Sequence, residues 1–175
     1  MTNPSSYRAP WSASLIATTI LSLLITVALF VFFLTSSLER SSWPFAFLVV
    51  VLSLIAIGPA LFVVSGYSLS PNRLDVRRLL WSTSLELTSL RSAYADPDAM
   101  RWSLRLLGNG GMFVFAGLFA NRRLGSYRAL ATNPRNAVVL RFEDRTIVVT
   151  PDRPQNFLRA LADNCPHVHV RRSAA

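Results

Sequence analysis

Lysine is absent from this 175-residue sequence, and charge of either sign is sparse. All 18 basic residues are arginine, and with 9 acidic residues they make up only 15% of the chain, against roughly a quarter in typical soluble domains. A single cysteine, Cys165, excludes an internal disulfide and so gives no sign of an oxidising compartment. Histidine is confined to His167 and His169, near the C-terminus, and the acidic residues are scattered, so no nucleophile–base–acid set is visible. The glycines at 108, 110 and 111 lack the lysine and Ser/Thr of a phosphate loop, and no helical pattern opens behind them; they read as a structural turn. No catalytic residue and no cofactor is implied.

The apolar residues, 51% of the chain, are grouped. No charged side chain occurs between Arg8 and Glu39, and Leu15 to Leu34 is interrupted only by Thr18, Thr19, Ser22 and Thr26. At 1.5 Å per residue, about 20 residues cross a hydrocarbon core of roughly 30 Å. A second uncharged stretch runs from Ser41 to Asn72, most apolar from Pro44 to Val64. A chain this small has too few polar residues left to cover two such helices in a soluble core. The first run exceeds the apolar core of a signal peptide and is followed by no clear small-x-small cleavage site, so it reads as an uncleaved anchor. The two spans, about 15–34 and 44–64, form a transmembrane hairpin joined by the short segment Thr35 to Trp43.

Arginine placement orients the hairpin. Arg8 precedes the first span, and Arg73, Arg77 and Arg78 follow the second, whereas the connecting loop carries Arg40 beside Glu39. The termini are therefore expected on the cytoplasmic face of the cell membrane. Trp11, Trp43 and Tyr67 sit where interfacial aromatic anchors belong. No ionisable residue lies inside either span, which argues against a proton relay or ion path. Gly58-Pro59 is expected to kink the second helix.

Beyond Gly66 short apolar runs alternate with turn residues. Tyr67–Leu69 and Leu74–Leu80 flank Pro71-Asn72 as a hairpin. Further strands are expected at Leu85–Leu90, Trp102–Leu107, Arg128–Thr132, Val138–Phe142 and Thr146–Thr150, the last two joined by Glu143-Asp144-Arg145, while Met112–Ala120 reads as a buried strand or a loop dipping into the membrane interface. After Pro151 the period changes. Asp152 with Gln155 resembles a capping box, Pro154 suits the first turn, and Phe157, Leu158, Leu161 and Cys165 share one apolar face. The sum is an α+β membrane protein: a two-helix hairpin, then a small barrel or sandwich of about seven strands closed by a C-terminal helix.

On those residues the chain resembles the bacterial pleckstrin-homology-like (PH-like) domains of small membrane proteins. The resemblance rests on Gly108-Asn109-Gly110-Gly111, Gly117-Leu118-Phe119, Leu124-Gly125, Tyr127-Arg128-Ala129, Ala131-Thr132, Ala137-Val138-Val139-Leu140, Val148-Val149-Thr150-Pro151 and Phe157. It implies the fold over about 66–164 and a membrane-anchored domain with no established general activity; it carries no catalytic residue. It divides the chain into an N-terminal tail (1–14), the hairpin (15–65), the PH-like domain (66–164) and a C-terminal tail (165–175). Eukaryotic lipid-binding members place basic residues around the loop between their first two strands. Here that loop is Ser70-Pro71-Asn72, too short for a basic inositol-lipid pocket.

From Gly66 onward there are 16 arginines and 8 acidic residues. With the domain joined directly to the second span, Arg73, Arg77, Arg78, Arg122, Arg123 and Arg128 are candidates for contact with anionic headgroups. No nucleic-acid motif accompanies this charge, so a nucleic-acid partner is not expected. Cys165, His167 and His169 are zinc-type ligands in one short stretch, but a fourth ligand is not evident. The leading expectation is a non-enzymatic binding or assembly module that contacts headgroups and a protein partner, or itself. The alternatives are a metal-dependent or enzymatic domain using Cys165, His167 and His169, and a small subunit of a membrane transport complex.

Overall fold

The computed structural model describes residues 5–37, 47, 48, 50, 51, 54, 63–78, 80–110 and 115–171. The first apolar run forms α1 (Ala13–Ser37). Ser12 starts it, its Oγ accepting from the Leu15 N–H at 3.2 Å, as an N-cap serine does. Inside the helix the Thr26 hydroxyl donates back to the Ser22 carbonyl at 2.9 Å, which satisfies the hydroxyl within its own helix. Large apolar side chains such as Leu21, Leu24, Ile25 and Phe32 are exposed along it. Among the described residues this is the one helix long and apolar enough to cross a membrane. Residues 47, 48, 50, 51 and 54 are helical. The expected loop around Glu39 and Arg40, the Gly58-Pro59 kink and most of the second expected span lie outside the described residues.

The remainder is a two-sheet sandwich. β1 (Ser5–Arg8), β2 (Val64–Ser70), β3 (Arg73–Arg78) and β4 (Ser82–Glu86) form a four-stranded antiparallel sheet in chain order. The second sheet is built from β5 (Leu90–Ala95), β6 (Leu104–Gly110), β7 (Phe115–Asn121), β8 (Gly125–Ala131), β9 (Val138–Phe142), β10 (Thr146–Val149) and β11 (His169–Arg171). Its seven strands run in the order β11-β5-β9-β10-β8-β7-β6. The β10–β8 and β11–β5 pairs are parallel. Helix α2 (Pro154–Asn164) buries Phe157, Leu158 and Leu161.

Period-two alternation decides which side chains meet. Tyr67, Leu69, Leu74, Val76 and Leu85 of the first sheet face Leu130, Val138, Leu140, Ile147 and Val149 of the second, and the buried face of α2 joins the same core. Phe119, Tyr127, Ala129, Val139 and Val148 form a smaller cluster on the opposite face of the second sheet. Val138–Leu140 and Ile147–Val149 are therefore buried on both faces, which explains their unbroken apolar runs.

Several expectations need correction. The domain expected to hold about seven strands has nine among the described residues, β2 to β10. Leu85–Leu90 is not one strand: β4 ends at Glu86, the Leu90 N–H bonds the Leu87 carbonyl at 3.1 Å, and β5 begins. Leu85, Leu87 and Leu90 are all buried, and the odd spacing from 87 to 90 needs that turn to keep Leu90 inside. Ser5–Arg8 and His169–Arg171, in the segments read as tails, are edge strands. Asp152 does not cap α2. The N-cap is Arg153, without a side-chain cap bond, while the Asp152 N–H is committed to the Arg8 carbonyl at 2.9 Å.

Candidate functional site

The start of α1 is fastened to one end of the sandwich. The Thr132 hydroxyl donates to the Pro10 carbonyl at 2.8 Å, the Ser12 N–H donates to the Thr132 carbonyl at 3.3 Å, and the Ala9 N–H to the Ser65 carbonyl at 3.4 Å. Behind this joint the buried Tyr67 hydroxyl donates to the Leu130 carbonyl at 2.6 Å and accepts from the Thr150 N–H at 3.1 Å. At the same end the register sets Val64 opposite Arg78 and Gly66 opposite Arg77. Leu80 and Trp81 are exposed in the following turn. The Arg78 guanidinium lies 5.7 Å from the Trp81 ring centroid; burial, and then the charge of Arg128, lower its pKa. A shallow depression of about 380 Å³, lined by Trp11, Ser12, Ala13, Asn133, Pro134 and Arg135, completes this base.

The far end carries a different surface. β7 and β8 pair from Phe115↔Ala131 at the base to Asn121↔Gly125 at the tip. That is six positions along each strand, or about 20 Å at 3.4 Å per residue. The tip holds a cleft of about 680 Å³ lined by Arg101, Arg122 and Arg123, with Trp102, Leu104, Ala120, Asn121, Gly125 and Ser126, and no acidic residue among the described residues lines it. Asn121 organises it. Its side-chain N–H₂ donates to the Ala99 carbonyl at 2.7 Å and to Ser103 Oγ at 2.9 Å, while its oxygen accepts from the Arg123 and Leu124 N–H groups. The Tyr127 hydroxyl donates to the same Ser103 oxygen at 2.7 Å. Gly125, at φ +69°, supplies the left-handed turn residue. Trp102 also has positive φ, +53°, a conformation that is rare for a bulky residue, and its side chain is 86% exposed.

The second sheet is wider than the first, and its inner face is left bare at β6 and β7. Leu118 lies on the same face as the core residue Ala116, two positions away. It pairs with Leu107 on one side and Arg128 on the other; Leu104 pairs with Ala120, which pairs with Ser126. Leu104 and Leu107 are 74% and 70% exposed. Through Leu104 and Ala120 this apolar overhang runs into the arginine-lined cleft.

The six candidate arginines are thus not one surface. Arg77 and Arg78 lie at the base, and Arg73, ion-paired to Asp75 at 3.3 Å, stands at the opposite end of β3. Arg122 and Arg123 are at the tip and Arg128 is midway along β8. Arg123 pairs with Asp96 at 2.8 Å and Arg101 approaches Asp98 at 3.9 Å; Arg122 makes no ion pair among the described residues. Cys165, His167 and His169 diverge. The Cys165 thiol is buried, which pushes its pKa up, and it approaches Asn72 Oδ1 at 3.8 Å. His167 Nε2 lies 3.2 Å from the Leu87 carbonyl, and His169 is exposed in β11. Among the described residues no group of three or more His, Cys, Asp or Glu is placed to hold a metal ion. The sequence reading missed Arg101, Trp102, Leu104 and Leu107 as surface residues, because Trp102–Leu107 alternates like any half-buried strand.

A family model described as bacterial PH domain matches residues 65–164, from the start of β2 to the end of α2, leaving out β1, α1 and β11. No curated protein and no solved structure matches the chain.

Proposed function

The chain belongs to the bacterial PH-domain family, and from that premise we propose that it is a membrane-anchored, non-enzymatic binding or assembly module whose folded domain faces the cytoplasm. The observation that carries the anchoring is the β1–β2 ladder, Ser5↔Leu69 through Arg8↔Gly66. It binds the segment just before α1 to the segment just after the second apolar stretch, so both must lie on one side of any bilayer that α1 crosses. The 25 residues of α1 reach about 38 Å, enough to cross. The 26 residues between Ser37 and Val64 reach about as far if helical, enough to return. The helical residues 47, 48, 50, 51 and 54, with Phe47, Val50 and Leu54 exposed, support a second apolar span. Arg8, Arg73, Arg77 and Arg78 against Arg40 favour cytoplasmic termini.

In this reading the base of the sandwich abuts the headgroups, with Arg77 the exposed cation and Trp11, Leu80 and Trp81 the interfacial residues. Each basic side chain at an anionic surface contributes about 1 kcal/mol. Arg73, at the other end of β3, and Arg122 and Arg123, at the tip, are available to a partner instead. The domain then extends beyond 66–164, since β1 from the N-terminal segment completes the first sheet.

Impermeant labelling of reporters at both termini, together with proximity crosslinking of the full chain in native membranes, tests the proposal. Both reporters on the cytoplasmic face and a reproducible protein partner or self-contact are expected. Reporters on opposite faces overturn the topology. Recovery of bulk lipid alone, under conditions that capture known complexes, overturns the module reading.

A further inference from the structure

We propose that the bare inner face of β6 and β7, together with the cleft at its tip, is a docking site for a short acidic amphipathic segment of a soluble partner protein. This rests on the binding-module reading and names the chemistry of the partner. Leu104, Leu107 and Leu118 continue the apolar face of the core past the point where the first sheet stops covering it. Contiguous exposed apolar surface of this kind, with a polar rim, is typical of a partner site. Its rim is positive: Arg128 lies beside Leu118, and Arg101, Arg122 and Arg123 line the cleft, with no acid among the described lining residues. Arg122, without an ion pair among the described residues, is the cation most open to an incoming carboxylate. Trp102, exposed and with a left-handed backbone, adds a large amphipathic ring of the type enriched at interface hot spots.

Charge and position select among occupants. A bilayer is disfavoured for the cleft, whose Asn121↔Gly125 pair stands about 20 Å along the strands from the Phe115↔Ala131 pair beside the joint with α1. A second copy is disfavoured because the described residues lining the cleft include three arginines and no carboxylate to meet the arginines of another copy. A nucleic acid would use the arginines and Trp102 but leaves the leucines without an apolar partner.

The test uses the full chain in lipid nanodiscs and labelled short peptides of Glu and Leu, patterned either by strict alternation or at helical spacing. Lys-for-Glu versions, a single-stranded oligonucleotide and anionic vesicles serve as controls. At least one acidic peptide is expected to bind, more weakly as salt is raised, and about tenfold more weakly to Arg122→Glu and to Leu107→Gln. Both substitutions are at exposed positions, and unchanged thermal unfolding establishes that each variant folds. Binding of neither acidic peptide, equal binding of the Lys versions, tighter binding of the oligonucleotide or vesicles, or indifference to both substitutions overturns the proposal. A photocrosslinker at Leu107, compared with one at Asp144 in the β9–β10 turn, separates the two levels. Partner capture at Asp144 but not Leu107 overturns this site and leaves the module reading standing; capture at neither overturns both.

Discussion

The Tyr67 hydroxyl reaches from the first sheet into the second, donating to the Leu130 carbonyl at 2.6 Å while receiving the Thr150 N–H at 3.1 Å. One buried oxygen thereby satisfies two backbone groups at the level where α1 joins the sandwich. Tyr67→Phe leaves both without their partner. A cost of about 1–3 kcal/mol is expected, measured by denaturant unfolding of the full chain in detergent. A loss of only a few tenths would mean the two groups find other partners.

The same burial sets an alkaline limit. Desolvation pushes the Tyr67 phenol up to about 12 from its ordinary 10.0, against the opposing hydrogen bonds from Thr150. The folded-state pKa lies above the unfolded one, so this contribution is complete below about pH 10. It is lost as the pH rises towards 12, because the unfolded chain gives up its proton first. The wild type should lose roughly 2–3 kcal/mol more than Tyr67→Phe across that window. Parallel stability curves for the two would show that Tyr67 does not titrate this way.

Gly66 tests the ladder to β1. A Cβ there would stand 2.7 Å from the Tyr7 carbonyl oxygen, a backbone atom held in the sheet. Gly66→Ala is expected to destabilise by about 1–3 kcal/mol and to expose residues 5–8 to hydrogen exchange. In a chain lacking residues 1–9 the same substitution should be nearly silent. An equal penalty in both backgrounds would place the clash elsewhere.

Tryptophan depth distinguishes base from tip. The four tryptophans are Trp11, Trp43, Trp81 and Trp102. In single-tryptophan variants placed in bilayers with brominated lipid, strong quenching is expected for Trp11 and Trp81 and little for Trp102. Strong quenching of Trp102 would bring the tip to the bilayer and remove the basis for reading it as a partner site.

Where burial is two-sided or strictly periodic, the fold is legible without coordinates. Val138–Phe142, Thr146–Val149 and the helix carrying Phe157, Leu158 and Leu161 all announce themselves in this way. β5 does not, because after Leu90 its buried positions are Ala93 and Ala95, small side chains that give little hydrophobic signal. β1 is polar in sequence and only half-buried, and its pairing partner lies far along the chain. The arginines are read correctly as a class but not as a surface. Whether Arg77 and Arg122 share a face depends on strand register and on the unequal width of the two sheets, which no local pattern encodes.

The β1–β2 ladder also imposes an order on biosynthesis. Arg8 leaves the ribosome 58 positions ahead of Gly66, its partner in the register. At roughly 5–20 residues per second that interval lasts about 3–12 seconds. Throughout it the first strand has no mate, and the first sheet forms only after both apolar stretches have been made. If both apolar stretches span a bilayer as proposed, closure of that ladder reports that the segment between has come back to the side from which it started, and the domain's own folding then acts as a proofreading step on how its anchor was threaded.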